Sequence, residues 1–131
     1  MIREIRTNEA LPPHYAYSQA LITDDGLLFT QGVNPCDPVT AEVVGDTIEE
    51  QTERAMQNLT AILRAAGLTT DNVIKTSVHL ADLLRDFEGF DAVYRRYFNP
   101  PYPCRTTVGA QLWHKYLIEI DVVAVRDHKR V

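Results

Sequence analysis

Two periodicities meet in the middle of this chain, and their order restricts the fold more than any other feature. From Thr47 to Ala66, the residues Ile48, Thr52, Ala55, Met56, Leu59, Ile62, Leu63 and Ala66 recur at three- and four-residue spacing, while Glu49, Glu50, Glu53, Gln57 and Arg64 fall on the other side. That is the pattern of an amphipathic helix. Asp46 or Thr47 is placed to cap its start, and Gly67 to stop it. From Val73 to Leu80 the period drops to two. Ile74, Thr76, Val78 and Leu80 share one face and Lys75, Ser77 and His79 the other, as in a half-buried strand, which turns His79 toward solvent. A second helical pattern runs from Asp82 to Phe98, with Leu83, Phe87, Phe90, Val93, Tyr94, Tyr97 and Phe98 as a core-facing stripe. Pro100 and Pro101 end it.

Strand signals flank this helix–strand–helix centre. Ile2 to Arg6 reads as a short edge strand, and Ser18 to Thr23 passes through the Asp24-Asp25-Gly26 turn into Leu27 to Gln31 as a hairpin. Proline-rich sequence from Gly32 to Gly45 reads as a loop. Arg105 to Gln111 and Tyr116 to Val125 are the closing strands, joined by Leu112-Trp113-His114-Lys115. The order β-β-β-α-β-α-β-β predicts an α+β domain over residues 1–131, one mixed sheet with two helices on one face. The other face, rich in Val, Ile, Leu and Thr, then needs a cover, and self-association is the natural one.

With 131 residues the chain suits one domain that buries roughly two thirds of its unfolded surface. A net charge of -5 with 13 scattered Lys and Arg argues against nucleic acid as a partner. Disorder is expected only in the tail 127–131. No apolar run is long enough to span a bilayer and the N-terminus lacks a signal-peptide core, so no membrane partner is expected and the default address is cytoplasmic. Cys36 and Cys104 show no C-x-x-C spacing and the four histidines are dispersed, so no metal motif is visible. Cys104 reads as a small buried residue.

Candidate chemistry sits in three places. Pro100-Pro101-Tyr102-Pro103 stiffens the loop that delivers Arg105 to a strand start, giving either a rigid carboxylate anchor or an ion-paired surface arginine. In the last strand, alternation puts Glu119 and Asp121 on a face with Leu117, Val123 and Val125. Either carboxylate is then shifted by desolvation or held ionised by a cation such as Arg105, unless it is simply exposed or structurally paired. Tyr17 offers a hydroxyl to orient a water, or packing alone, and Gly32 brings backbone close to a ligand or satisfies a turn.

Taken in order, Tyr17-Ser18-Gln19-Ala20, Phe29-Thr30-Gln31-Gly32 with Asn34-Pro35, Gly45-Asp46 leading to Glu50-Gln51-Thr52, Ala65-Ala66-Gly67-Leu68, Val73-Ile74-Lys75-Thr76, Tyr102-Pro103-Cys104-Arg105-Thr106 and Ile118-Glu119-Ile120-Asp121 resemble the reactive intermediate deaminase A family, the RidA or YjgF group, over nearly the whole chain. The resemblance implies a chorismate-mutase-like fold assembled as a homotrimer, with a central barrel and clefts between neighbouring subunits. It also implies cofactor-free hydrolysis of 2-imino or enamine acids to 2-keto acids and ammonia. Arg105 would clamp the substrate carboxylate, Glu119 and Tyr17 would place the water, and Gly32, Gln31, Thr107 and Asp91 would line the pocket. No metal or cofactor is called for, and Cys104 has no catalytic part.

The chain departs from the family pattern where Tyr15-Ala16 replaces Gly-Pro before the tyrosine, Gln31 replaces serine before the glycine, and Asp91 replaces an asparagine in the second helix. A negative charge at 91 disfavours a carboxylate ligand. Thr107 occupies a position that varies in the family. The alternative function is a trimeric binder or sensor of small carboxylates without turnover. A ribonuclease is opposed by the acidic balance and by the lack of a His pair or basic groove.

Overall fold

The computed structural model describes residues 1–126; the tail 127–131, for which disorder is expected, lies outside them. Strands β1 (Ile2–Ile5), β2 (Ala20–Thr23) and β3 (Leu27–Thr30) precede helix α1 (Ile48–Ala65), and β4 (Val73–Leu80), helix α2 (Leu83–Tyr94), β5 (Cys104–Gly109) and β6 (Ile118–Val125) follow. They form one six-stranded sheet in the order β1-β2-β3-β6-β4-β5, in which only β4 and β5 run parallel. The parallel pair is the one bridged by a helix, as a crossover requires.

Helix α1 begins at Thr47, whose hydroxyl accepts from the Glu50 N–H while the Glu50 carboxylate accepts from the Thr47 N–H. This satisfies two of the donors a helix start leaves open. Gly67, just past the end, takes φ +76°, which a side chain would strain. The predicted second helix is shorter than its apolar stripe: α2 gives way to a 3-10 turn at Arg95–Tyr97. Phe90, Tyr94 and Phe98 are nonetheless buried, and Phe87 stays at the rim.

Both helices cover one sheet face. Ile118, Ile120, Val122 and Ala124 of β6 and Thr76, Val78 and Leu80 of β4 turn into that core beside Met56, Leu59, Ile62 and Phe90. One expected core position is corrected. A register shift between Val73 and Lys75 buries Val73 and leaves Ile74 exposed, because a bulge reverses the alternation for the residue before it.

Among the described residues, no element covers the opposite face. It carries Leu21, Phe29, Val123 and Val108 interspersed with Lys75, Ser77, Thr106 and Asp121. Cys104 also lies there and is exposed, contrary to expectation, because β5 is the sheet edge and its even-numbered residues turn away from the helices. No helix among the described residues is long and apolar enough to cross a membrane.

Candidate functional site

Three buried side-chain amides hold the loops around one end of β6. Gln19 donates to the carbonyls of Thr7, Ala10 and Leu11 and accepts from the Thr7 N–H, fixing the segment that leads to Tyr17. Asn58 of α1 donates to the carbonyls of Asn34 and Cys36. Gln51 of α1 donates to the carbonyls of Gly45 and Lys115 and accepts from the Leu117 N–H. Each amide replaces several backbone partners that irregular chain cannot give itself.

Where β3 ends, the chain leaves the sheet and returns. The Thr30 hydroxyl accepts from the Val122 N–H at 3.0 Å, and Val33 then exchanges two backbone hydrogen bonds with Ile120 at 2.7 and 3.0 Å. Between these ties Gln31 and Gly32 arch over Glu119. A Cβ at position 32 would overlap the Glu119 carboxylate, so the glycine is what admits that side chain.

The result is a cavity of about 640 Å³ with Glu119 and Gly32 in its wall, beside Tyr17, Gln31, Asn34 and Tyr116. Burial pushes the Glu119 carboxyl above its ordinary range; His79 opposes the shift and Asp121 adds to it. His79 is directly cross-strand from Glu119 and only half-exposed. It, rather than Arg105, is the basic side chain that faces the two carboxylates. Asp121 is raised by burial as well, again with His79 opposing. Burial followed by the Glu119 charge pushes the Tyr17 hydroxyl up, keeping it protonated as a donor. The Cys36 thiol, itself raised by burial, donates to the Tyr116 hydroxyl at 3.4 Å.

Arg105 lies elsewhere. Its register partner on β4 is Thr76, a buried residue whose hydroxyl is bonded to Tyr94 of α2, so Arg105 faces the helices while Glu119 faces away from them. The guanidinium carbon stands 4.8 Å from the Tyr94 ring centre, 5.2 Å from Phe90 and 5.5 Å from Phe87, a cation–π seat. Its Nη1 donates to Asp91 at 2.7 Å, and the other Asp91 oxygen accepts from Arg95 at 2.5 Å. Burial alone would raise the Asp91 carboxyl, but the two arginines outweigh it and the net shift is downward. Thr107 shares this face and borders a second cavity of about 460 Å³ with Leu83, Arg85 and Phe87.

The predicted residues thus divide into two half-sites. Tyr17, Gln31, Gly32 and Glu119 gather at one cavity, and Arg105, Thr107 and Asp91 gather on the opposite face of the sheet. Within one chain the two groups do not meet. The aromatic stripe of α2, read as core, also seats Arg105. Sequence reading missed Trp113, His114, Tyr116, His14 and Tyr15 in the first cavity. Trp113 and His114 read as mere connection and Tyr116 as the start of a strand, and a tryptophan between two strands was the available signal. His14 and His114, far apart in sequence, border that same cavity, so a histidine pair does exist in space. No lysine or arginine accompanies them in the described wall, and no cluster of metal-ligating side chains occurs among the described residues.

The family model described as endoribonuclease L-PSP matches residues 7–126. A RutC family protein of Saccharolobus solfataricus is 44% identical over 121 residues, 92% of this chain and 94% of its own length. Chloroplastic reactive intermediate deaminase A of Arabidopsis thaliana is 37% identical over 124 residues, 93% of this chain and 65% of that protein. The crystal structure of a putative endoribonuclease from Thermotoga maritima superposes with a TM-score of 0.90 at 38% identity, covering 96% of this chain and 98% of that one. On these matches and on its six-stranded mixed sheet under two helices, the chain belongs to the endoribonuclease L-PSP family, in which the RutC, RidA and YjgF proteins stand.

Proposed function

We propose that this protein hydrolyses reactive 2-imino acids, and the enamines that tautomerise to them, to 2-keto acids and ammonia. The observation that carries the reading is the Glu119 carboxyl, held against Gly32 in a cavity and raised in pKa by burial. A carboxyl tuned upward takes a proton more readily and can return it later in the same cycle. Glu119 accepts a proton from water as its oxygen bonds to the imine carbon, and returns that proton to nitrogen. Glu119 then takes the hydroxyl proton of the resulting carbinolamine and passes it to the amino nitrogen, so that the carbon–nitrogen bond breaks, the keto group forms and neutral ammonia departs. Tyr17 holds the water or the forming hydroxyl from the rim.

The substrate carboxylate needs a fixed cation, and no lysine or arginine lines this cavity among the described residues. Arg105 supplies a fixed fork, and because it sits on the opposite sheet face we place it in the cleft of a neighbouring copy, as a trimer with intersubunit clefts would do. The exposed apolar sheet face gives such copies a reason to associate. Deaminase naming in the Arabidopsis relative supports the reading. The histidine pair favours a second reading, nucleic-acid cleavage, but among the described residues no lysine or arginine in the cavity wall offers the charge a phosphate backbone requires.

The test is clearance of 2-iminopropanoate and 2-iminobutanoate made in place by an amino-acid oxidase and trapped by semicarbazide. Wild type lowers semicarbazone formation, and Glu119→Gln loses turnover while carboxylate binding persists. If neither protein changes semicarbazone formation, the deaminase reading fails and binding without turnover takes its place.

A further inference from the structure

The wall of the Glu119 cavity is far more aromatic than the smallest imino acids need. Tyr15, Tyr17, Trp113, His114 and Tyr116 all line it. Trp113 and His114 meet edge to face with ring centres 4.6 Å apart at 75°, and His114 and Tyr116 follow at 6.4 Å and 68°. The loop is shaped to keep them there. His114 adopts φ +51°, a conformation that few side chains take. The Tyr116 N–H donates to the Trp113 carbonyl, and Gln51 grips the chain on both sides of Tyr116. Trp113 is nevertheless 61% exposed and Tyr15 75%. Trp113 is thus a large ring held in place and left uncovered, and Tyr15 is a second uncovered ring in the same wall.

We propose that the side chain of the substrate is aromatic: a 2-imino acid bearing a phenyl, phenol or indole group, whose ring lies against Trp113 and Tyr15 while its imine carbon stands over Glu119. The inference rests on the deaminase reading for the reaction, and on the cavity alone for the ring. Glu119 is the only acid in the wall and no lysine or arginine accompanies it among the described residues, so nothing there favours a charged side chain. Within one chain, a methyl or ethyl side chain would leave most of a 640 Å³ space unfilled except by water or a neighbouring copy, whereas cavities of this size suit ligands well beyond such fragments. Ring-on-ring contact with an offset or edge-to-face geometry adds to area burial. Exposed rings in a fixed arrangement gain most from a planar partner, because little order remains to be imposed.

Binding is measured first, on the wild-type protein, by calorimetry with two stable carboxylates, 3-phenylpropanoate and propanoate. The aromatic acid is expected to bind at least about tenfold tighter, which is about 1.4 kcal/mol, and Trp113→Ala or Tyr15→Ala is expected to erase most of that ratio. Clearance of the imines derived from phenylalanine and from alanine is then compared as a ratio of kcat/KM, with the same expectation. Aromatic-selective binding without clearance of either imine supports the ligand class and overturns the deaminase reading. Clearance of both imines without an aromatic preference keeps the deaminase reading and overturns this inference. Equal affinity for the two acids, or no binding of either, overturns it too, and returns the rings to a role in packing between copies.

Discussion

Asp91 divides one carboxylate between two arginines, and that division sets what Arg105 offers a ligand. One oxygen takes Arg105 and the other Arg95, so the guanidinium is held in place and part of its charge is already answered. Asp91→Asn keeps an oxygen for Arg105 but removes the competing charge. Its kcat/KM on imino acids is expected to rise about two- to fivefold, the size of a partly exposed ion pair. Asp91→Ala removes the acceptor as well and is expected to fall below wild type. Steady-state kinetics on the two variants separates charge from positioning. Gly32 is the second residue with a sharp expectation. Its backbone does not need a glycine conformation, yet a methyl there meets the Glu119 carboxylate. Gly32→Ala should therefore lower kcat by about ten- to a hundredfold, as a small misplacement does, and leave urea stability within about 1 kcal/mol. Arg105, Glu119, Tyr17 and Gly32 could each be singled out in the sequence, but each with a plain structural reading beside the functional one, and only the family resemblance joined them into one set. That Arg105 and Glu119 occupy opposite faces was not legible, since it depends on which β4 residue each one pairs with.

At the level of elements, β4 tunes β6. His79 stands across from Glu119 and its charge opposes the upward shift that burial gives both Glu119 and Asp121. The other titratable groups around Glu119 among the described residues include Asp121 on its own strand, Tyr17, Tyr116 with Cys36 bonded to its hydroxyl, and Tyr15, His14 and His114 in the cavity wall. Because the folded pKa of Glu119 and Asp121 lies above the unfolded value, their contribution to stability is fully present below the unfolded pKa and is lost as pH rises through the folded one. Asp91 runs the other way and loses its contribution as pH falls through its lowered pKa. Activity that needs ionised Glu119 should show an acid limb above the ordinary carboxylate range, and His79→Phe should move that limb to higher pH. A pH–rate profile of the two proteins reads the shift directly, and an unmoved limb would remove His79 from the proton-handling argument. The helix starts, the hairpin and the β-α-β centre were legible because periodicity and capping are local. The loops were not, because Gln19, Gln51 and Asn58 look like ordinary polar residues until the fold shows them buried. Gln51→Leu leaves the Gly45 and Lys115 carbonyls and the Leu117 N–H without their partner and should cost about 2–3 kcal/mol in urea unfolding, at the upper end for orphaned buried groups.

For the molecule as a whole, the two half-sites make a statement about assembly that can be tested without determining how many copies associate. If each working cleft takes Arg105 from one copy and Glu119 from the next, an Arg105→Ala protein and a Glu119→Gln protein are both inactive for different reasons. Every cleft in the first lacks the anchor, and every cleft in the second lacks the proton acceptor. When the two are unfolded together in equal amounts and refolded, subunits combine at random. A cleft then has an intact arginine half the time and an intact glutamate half the time, so about a quarter of the wild-type activity should return in any ring built from one repeating head-to-tail contact. If both residues acted within a single chain, no mixture would recover anything, since no chain carries both intact. The same mixture made without unfolding, from preformed assemblies, should stay inactive over the exchange time of the subunits and then rise. The rate of that rise measures how firmly Leu21, Phe29, Val108 and Val123 hold the uncovered sheet face against a neighbour. Recovery near a quarter would join the two half-sites across a subunit boundary, and zero recovery with both variants assembled would require Arg105 to be replaced as the carboxylate anchor by a group in the Glu119 cavity itself.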